Sequence, residues 1–299
     1  MRSGALIIDK PAGMTSHDVV GRVRRLYSTR QVGHTGTLDP MATGVLVLLV
    51  GNATRASEYL TGDTKSYHAN LQLGITTDTQ DTTGATLSSS PLRPTATEVA
   101  EVASAFLGTS QQMPPMYSAL KVGGKKLVDL ARQGIEVERK SREITLTRVE
   151  TAPINVEAGL YSLDVDCSGG TYVRTLCHDI GTNLGCGGAM ASLRRTICGG
   201  FSLEQAHTLQ TIEEMDSEER YARLIPTEEL FAHHEILCLP EFYARLAHNG
   251  AEIYQAKIHT DYPIGTRVRL YDTTGFFALG EVREYENGSG VKPIKFFGG

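Results

Sequence analysis

The run GVLVLLV at positions 44–50 constrains this chain more than any other segment, because every position is apolar or glycine. A half-exposed strand alternates; an unbroken aliphatic run of this length reads as a strand buried on both faces, so a sheet with cover on each side has to be built around it. Directly before it, GHTGTLDPMAT carries one acid, Asp39, followed by proline and preceded five residues earlier by His34. A loop anchored by a buried strand is a rigid mount of the kind a nucleophile or general base requires. Asp before Pro is also ordinary turn chemistry, an Asx-turn or a helix cap. The residues alone leave both readings open.

Around that strand the chain alternates between two periodicities. ALIID ends at Lys10-Pro11, where proline stops a strand. Ser16 is positioned to cap a helix through HDVVGRVRRLY, and Asn52 to cap another through ATRASEYL. In KSYHANLQLG, Tyr67, Ala69, Leu71 and Leu73 share the core-facing side of a strand. Residues 76–95 have almost no apolar content and predict a long surface loop or an ordered functional one. A helix is expected in ATEVAEVASAFLG, then a basic, proline-punctuated insertion with a helical centre, KKLVDLARQG, ending on Gly134. EITLTRVET and YSLDVDCSGG read as strands and TYVRTLCHDIGTNLG as a helix. From Ile236 short alternating segments separated by Gly, Pro and Asp predict a small all-β module. Two domains follow, 1–234 with an insertion at about 108–142, and 235–299.

The net charge of −5 argues against a polyanionic partner until its distribution is considered. Residues 212–235 carry eight acids against Arg220 and Arg223, which leaves the remainder nearly neutral, and residues 121–148 hold eight Lys or Arg against four acids. A basic face opposite an acidic one remains open to nucleic acid. Five cysteines without a Cys-x-x-Cys pair suit neither a disulfide framework nor a zinc site. No segment has the length or polarity of a membrane helix or secretory signal, so a cytoplasmic protein is expected. The glycines at 33, 36 and 44 do not form a P-loop, AHHEI lacks the second histidine of a zinc hydrolase, Asp78 and Asp81 miss the calcium-loop pattern, and no G-x-S-x-G elbow is present. One acid without metal ligands or redox signature remains.

GHTGTLDPMATGVLVLLVG resembles the catalytic signature of the TruB-type tRNA pseudouridine synthases. LIIDKPAGMTSHDVV, KSYHANLQLG, TDTQDTTG, MPPMYSALKVGGKKLVDLARQGIEVERKSRE and CSGGTYVRTLCHDIGTNLGCGGAMASLRRTICGGFSL resemble the family's other blocks in order, and the tail resembles its PUA module. The resemblance implies an α+β pseudouridine synthase fold: a mixed, largely antiparallel central sheet flanked by helices and loops, with a barrel-like PUA domain. It implies isomerisation of the uridine at position 55 in the TΨC loop of tRNA, by base flipping and exchange of C1′–N1 for C1′–C5. It makes Asp39 the catalytic aspartate, Arg174 its ion-pair partner and Tyr67 the tyrosine stacked on the base. Tyr172 and Leu193 become substrate contacts, and His34 the residue that fills the space the uridine leaves. Lys10 and Pro11 match the first motif as support. The partner implied is the TΨC stem-loop, bound by a monomer with no cofactor and no metal. Met41 and TICGGFSL depart from the family's commoner residues only in packing positions. A non-catalytic tRNA-folding chaperone and a hydrolytic glycosidase are the competing readings; the second wants a pair of carboxylates, for which no matching motif is found.

Overall fold

In the computed structural model, which describes residues 2–60 and 64–298, GVLVLLV lies inside a sheet covered on both sides. The main strands are β1 (Gly4–Lys10), β2 (Thr43–Val50), β3 (Lys65–Leu73), β4 (Gly108–Gln112), β5 (Arg142–Asn155), β6 (Leu160–Cys167) and β7 (Gly188–Cys198). Their spatial order is β1-β2-β7-β3-β6-β5-β4, with His207–Thr208 outside β1 and Val32–His34 on the flank of β2. Pairing is antiparallel except between β2 and β7 and between β1 and His207–Thr208. The expected mixed, largely antiparallel α+β sheet is thus present.

The alternation within β2 explains its composition. Leu46, Leu48 and Val50 join a core shared with helix α1 (Ser16–Leu26), which contributes Val19, Val20 and Val23 from one face. Helices α2 (Ala96–Ser104) and α3 (Val173–Asn183) cover the rest of that side through Val99, Leu176 and Ile180. Val45, Val47 and Leu49 point the other way, into a second core closed by Leu230, Phe231, Leu279 and Phe297.

Two of those last residues come from the C-terminal region. There β8 (Glu235–Cys238), β9 (Ile253–Tyr254), β10 (Arg267–Asp272), β11 (Gly275–Tyr285) and β12 (Gly288–Phe296) form a second sheet in the order β8-β10-β11-β12-β9. It encloses its own core of Leu237, Ala247, Val268, Leu270, Phe277 and Val282. A helix, Glu241–His248, packs against this sheet, and AEIYQAKI is a two-residue strand followed by a helical turn at Gln255–Ile258 rather than one alternating strand.

Local capping departs from expectation at two points. The α1 cap is Thr15, not Ser16: Thr15 accepts from the Asp18 amide while Asp18 Oδ2 accepts from the Thr15 amide at 2.8 Å, a reciprocal capping box. Ser16 instead turns inward, where its hydroxyl accepts from the Leu38 amide at 2.8 Å and ties the helix start to the Asp39 loop. Asn52 lies inside a 3₁₀ turn at Gly51–Ala56 that precedes a short helix at Ser57–Leu60, not at the start of a helix through ATRASEYL. Residues 76–95 are ordered, with Ile75–Thr77 pairing to Thr86–Ser89 and Thr77 and Asp81 buried.

At the start of β2, Gly44 has φ +101°, and a Cβ there would sit 2.2 Å from the Arg195 carbonyl oxygen of β7. Replacing Gly44 with alanine is therefore expected to cost about 3 kcal/mol or more, from strain and overpacking together. Gly33→Ala, where no atom lies within 4 Å of the new methyl, should be close to neutral. Urea unfolding of the two variants measures the difference.

Candidate active site

Asp39 and Arg174, 135 residues apart, meet at the open end of the β2–β7–β3 layer. The Asp39 loop is held from below: Lys10, fully buried, donates through Nζ to the carbonyls of Pro11 at 2.9 Å, Met14 at 2.6 Å and Pro40 at 3.3 Å. Burial pulls the Lys10 ammonium down to about 8. Arg174 is the second residue of α3, two after Tyr172, the extended residue that precedes the helix. Its guanidinium grips Asp39 with two nitrogens, Nε to Oδ2 at 2.8 Å and Nη2 to Oδ1 at 3.2 Å, the fork geometry that fixes a carboxylate most firmly.

The remaining donors of Arg174 are also used. Nη1 donates to the Thr79 carbonyl at 3.1 Å and lies 3.7 Å from Asp81 Oδ2, and Nη2 donates to the Tyr117 carbonyl at 2.9 Å. Asp81 is the functional residue that sequence reasoning passed over. Its Oδ1 accepts from Thr79 Oγ1, the Thr83 amide and Thr83 Oγ1, and it does not line the cavity beside Asp39. It is a strut for Arg174, not a second reacting carboxylate. The TDTQDTTG loop carried the signal, but as a failed metal motif.

That cavity measures about 320 Å³ and is walled by Tyr67 from β3, Leu193 and Arg195 from β7, and Tyr172 and Arg174 from the start of α3. The Asp39 loop forms its floor, and Ser118, Ala119 and Leu120 of the insertion form part of its rim. Tyr67 is 8% exposed, and burial pushes its phenol up to about 12. The Tyr172 backbone is locked by Gln112, which accepts from its amide at 2.8 Å and donates to its carbonyl at 3.1 Å. The Arg142 guanidinium lies 5.8 Å from the Tyr172 ring centre. Of the six residues singled out in the sequence, five line this space. His34 does not: it ends the strand Val32–His34, with Nδ1 buried and unbonded, beside Thr35, which does line it. Among the described residues no group of three or more His, Cys, Asp or Glu is placed to hold a metal ion.

Burial raises the Asp39 carboxyl above its ordinary value; Arg174 opposes this and Asp81 adds to it. Desolvation outweighs the ion pair in that balance.

The fold that carries this site is that of the pseudouridine synthases. The chain superposes on one from the crystal structure of a Cbf5-Nop10-Gar1 complex with a TM-score of 0.72 at 24% identity, covering 99% of this chain and 85% of that one, a likeness in fold alone. The sequence goes further. Residues 24–173 match the N-terminal domain of the TruB family of pseudouridylate synthases, and residues 174–232 match the tRNA pseudouridylate synthase B C-terminal domain; the chain belongs to the TruB family. The tRNA pseudouridine synthase B of Clostridium kluyveri is 44% identical over 296 residues, 98% of this chain and 99% of that one. That of Syntrophotalea carbinolica is 46% identical over 280 residues, 93% and 91% of the two chains.

Because a raised carboxyl must lose its proton before it can act as an anion, the acid limb of kcat/KM should lie above the ordinary aspartate value of about 3.9. Asp81→Asn removes a like charge and should move that limb to lower pH; a pH–rate profile of both proteins reads the sign.

Proposed function

We propose that this enzyme converts the uridine at position 55 of tRNA, in the TΨC loop, to pseudouridine, acting as a cytoplasmic monomer. The observation that carries the reading is the bidentate Asp39–Arg174 pair at the floor of a cavity walled by Tyr67, Tyr172 and Leu193. Its volume stands near the lower end of the range for small-ligand pockets, about 300–1,000 Å³, which suits one extruded nucleotide and not a duplex. Relatives 44% and 46% identical bear the name tRNA pseudouridine synthase B.

In this mechanism the target nucleotide leaves the stack, at a cost of a few kcal/mol, and His34 occupies the space it vacates. Asp39 then assists cleavage of the C1′–N1 bond, by adding to the nucleotide or by promoting a glycal-like intermediate. Either route leaves uracil detached within the cavity. The apolar side chain of Leu193 and the rings of Tyr67 and Tyr172 hold it and keep out water that would hydrolyse the intermediate. The base turns, C5 bonds to C1′, the C5 proton passes to the Tyr67 oxygen, whose own proton has already gone to solvent, as the C5–H bonding pair returns to the ring, and N1 takes up a proton. Substrate and product are isomers, so no oxidant, reductant or second substrate enters.

The insertion supports an RNA-gripping role. Lys121–Val122 and Lys125–Lys126 form an exposed hairpin whose turn is Gly123–Gly124, both with positive φ. Leu127 and Leu130 of the following helix are buried, which anchors the hairpin while its lysines face outward. Because Tyr117 of the same insertion accepts from Arg174, RNA held by the lysines would lie over the catalytic pair.

Incubation with unmodified tRNA and mapping of the product tests the proposal: pseudouridine is expected at position 55 alone. Asp39→Asn should lower kcat by at least about 10³-fold and leave tRNA affinity unchanged within about threefold. Pseudouridine elsewhere would reject the assigned target, and free uracil as the main product would indicate a glycosidase. Tyr67→Phe should fold and bind normally yet slow turnover by about 10²-fold or more, the span of general acid–base assistance. Replacing Lys121, Lys125 and Lys126 with alanine should reduce the slope of log affinity against log salt by about one per lysine.

A further inference from the structure

Arg195 sits at the back of the same cavity, wholly buried. Arginine keeps its charge in proteins, and a charge in such a place needs partners. Nε donates to the Val45 carbonyl at 2.7 Å and Nη2 to the Gly36 carbonyl at 3.0 Å, while Nη1 is buried and has no hydrogen-bond partner. Among the described residues no carboxylate forms an ion pair with it; Arg174 takes both Asp39 and Asp81. The charged groups whose fields reach Arg195 include Lys10 and His34, which repel it when protonated. A strut for two carbonyls would not need a charge.

The backbone shows what the charge faces. Arg195 is the direct cross-strand partner of Tyr67 in the antiparallel β7–β3 pair, and on its other side it pairs with Gly44 of β2. Gripped from both flanks, its side chain reaches the cavity beside the Tyr67 ring, whose hydroxyl feels the guanidinium. Gly36 backs onto the guanidinium, a Cβ built there lying 3.4 Å from Nη1 and 3.3 Å from Lys65 Cε. Other groups around Tyr67 are Lys65 from its own strand, Cys167 and Cys198 from the neighbouring strands, and Asp39 and Arg174 across the cavity.

We propose that Arg195 is a positioning residue for Tyr67, its unpartnered Nη1 stabilising the phenolate form of Tyr67 that takes the C5 proton. The inference rests on the C5-proton role assigned to Tyr67 above. In the step concerned the C5–H bond breaks, its electron pair restores the ring double bond, and the proton joins the phenolate oxygen. Before that, the phenol has released its own proton to solvent with Arg195 as counter-charge. Burial raises this phenol above its ordinary value, and the Arg195 guanidinium beside it opposes that rise, so removing the cation should make ionisation harder still.

The test is single-turnover kinetics of Arg195→Gln and Arg195→Lys on tRNA carrying uridine or [5-²H]uridine, with tRNA affinity and far-ultraviolet circular dichroism measured in parallel. Arg195→Gln should fold, bind tRNA within about twofold of the parent, and react 10- to 100-fold more slowly, with the C5 deuterium isotope effect rising as proton removal becomes rate-limiting. Arg195→Lys, which keeps the charge, should recover at least a third of the parent rate. If Arg195→Gln does not fold, Arg195→Lys decides alone, through a raised isotope effect accompanying any loss of rate. A slower reaction of either variant with an unchanged isotope effect, or a parent rate in Arg195→Gln, overturns the assignment to Arg195. If Tyr67→Phe itself reacts at the parent rate, the failure belongs to the role given to Tyr67 instead.

Discussion

The contact on which the site depends is a backbone one, the approach of β7 to β2 at Gly44. With no side chain at that position and φ at +101°, the Arg195 backbone can lie where any Cβ would collide with its carbonyl at 2.2 Å. The parallel junction between β2 and β7 consists of Arg194 opposite Thr43 and Arg195 opposite Gly44, and it merges two antiparallel ladders into one sheet. From that junction the Asp39 loop leaves in one direction and Tyr67 stands one strand away. Gly181 of α3 and Gly188 of β7 meet as closely, a Cβ on Gly181 falling 2.2 Å from the Gly188 nitrogen. Helix α3 is thereby seated on the same strand, and with it Arg174. Three elements remote in sequence converge because two glycine contacts allow β7 to be approached from both sides.

Much of this was legible in the sequence because the relevant patterns were local. The buried run of β2, the alternation of β3 and the Asp39 loop each declare themselves within about ten residues. Strand β7 did not. Its register shifts between Met190 and Ser192 and again between Arg195 and Ile197, so GAMASLRRTIC never keeps one alternation long enough to read as a strand. Arg195 was hidden for the same reason: beside Arg194, which pairs with Asp9 at 2.8 Å in a half-exposed bridge, it looks like half of a surface dibasic pair. Asp81 was hidden by its polar loop, because hydroxyl and amide donors within that loop satisfy it and no hydrophobic pattern marks its burial. His34 stays near the cavity but outside its lining, and its role rests on resemblance.

The outer face of β2 links the site to the C-terminal sheet. Val45, Val47 and Leu49 need cover, and part of that cover is Leu279 and Phe297, next to Phe231. Aromatic contacts extend the joint: Phe231 lies 5.3 Å from Phe297 and 6.2 Å from Phe276 between ring centres. Arg55 donates to the Phe296 carbonyl at 3.1 Å, and the Arg267 guanidinium lies 5.3 Å from the Tyr59 ring centre. A module held by polar bridges alone would be free to swing, as small, polar inter-domain contacts ordinarily permit. Here the strand that positions Asp39 has one face in the catalytic core and the other in the joint, which ties the C-terminal sheet to the strand beside the cavity.

The two buried arginines around the cavity divide the electrostatic work between them. Arg174 spends its donors on Asp39, the Thr79 carbonyl and the Tyr117 carbonyl, with Asp81 alongside. A guanidinium so engaged is a fastener, and breaking one side of a buried pair of this kind costs about 3–5 kcal/mol. Burial nevertheless raises the Asp39 carboxyl, which leaves the acid more basic than a carboxylate in water and thus a better nucleophile. Arg195 has the opposite profile, with two of its three nitrogens bonded to carbonyls and the third left without a partner. An unsatisfied charged donor in a dry site is costly in the resting protein, and under the role proposed for Arg195 that cost is offset when the Tyr67 oxygen beside it is ionised. In that role, such an arrangement raises the share of enzyme whose Tyr67 oxygen is ready to take the C5 proton, because a base acts only in its deprotonated form.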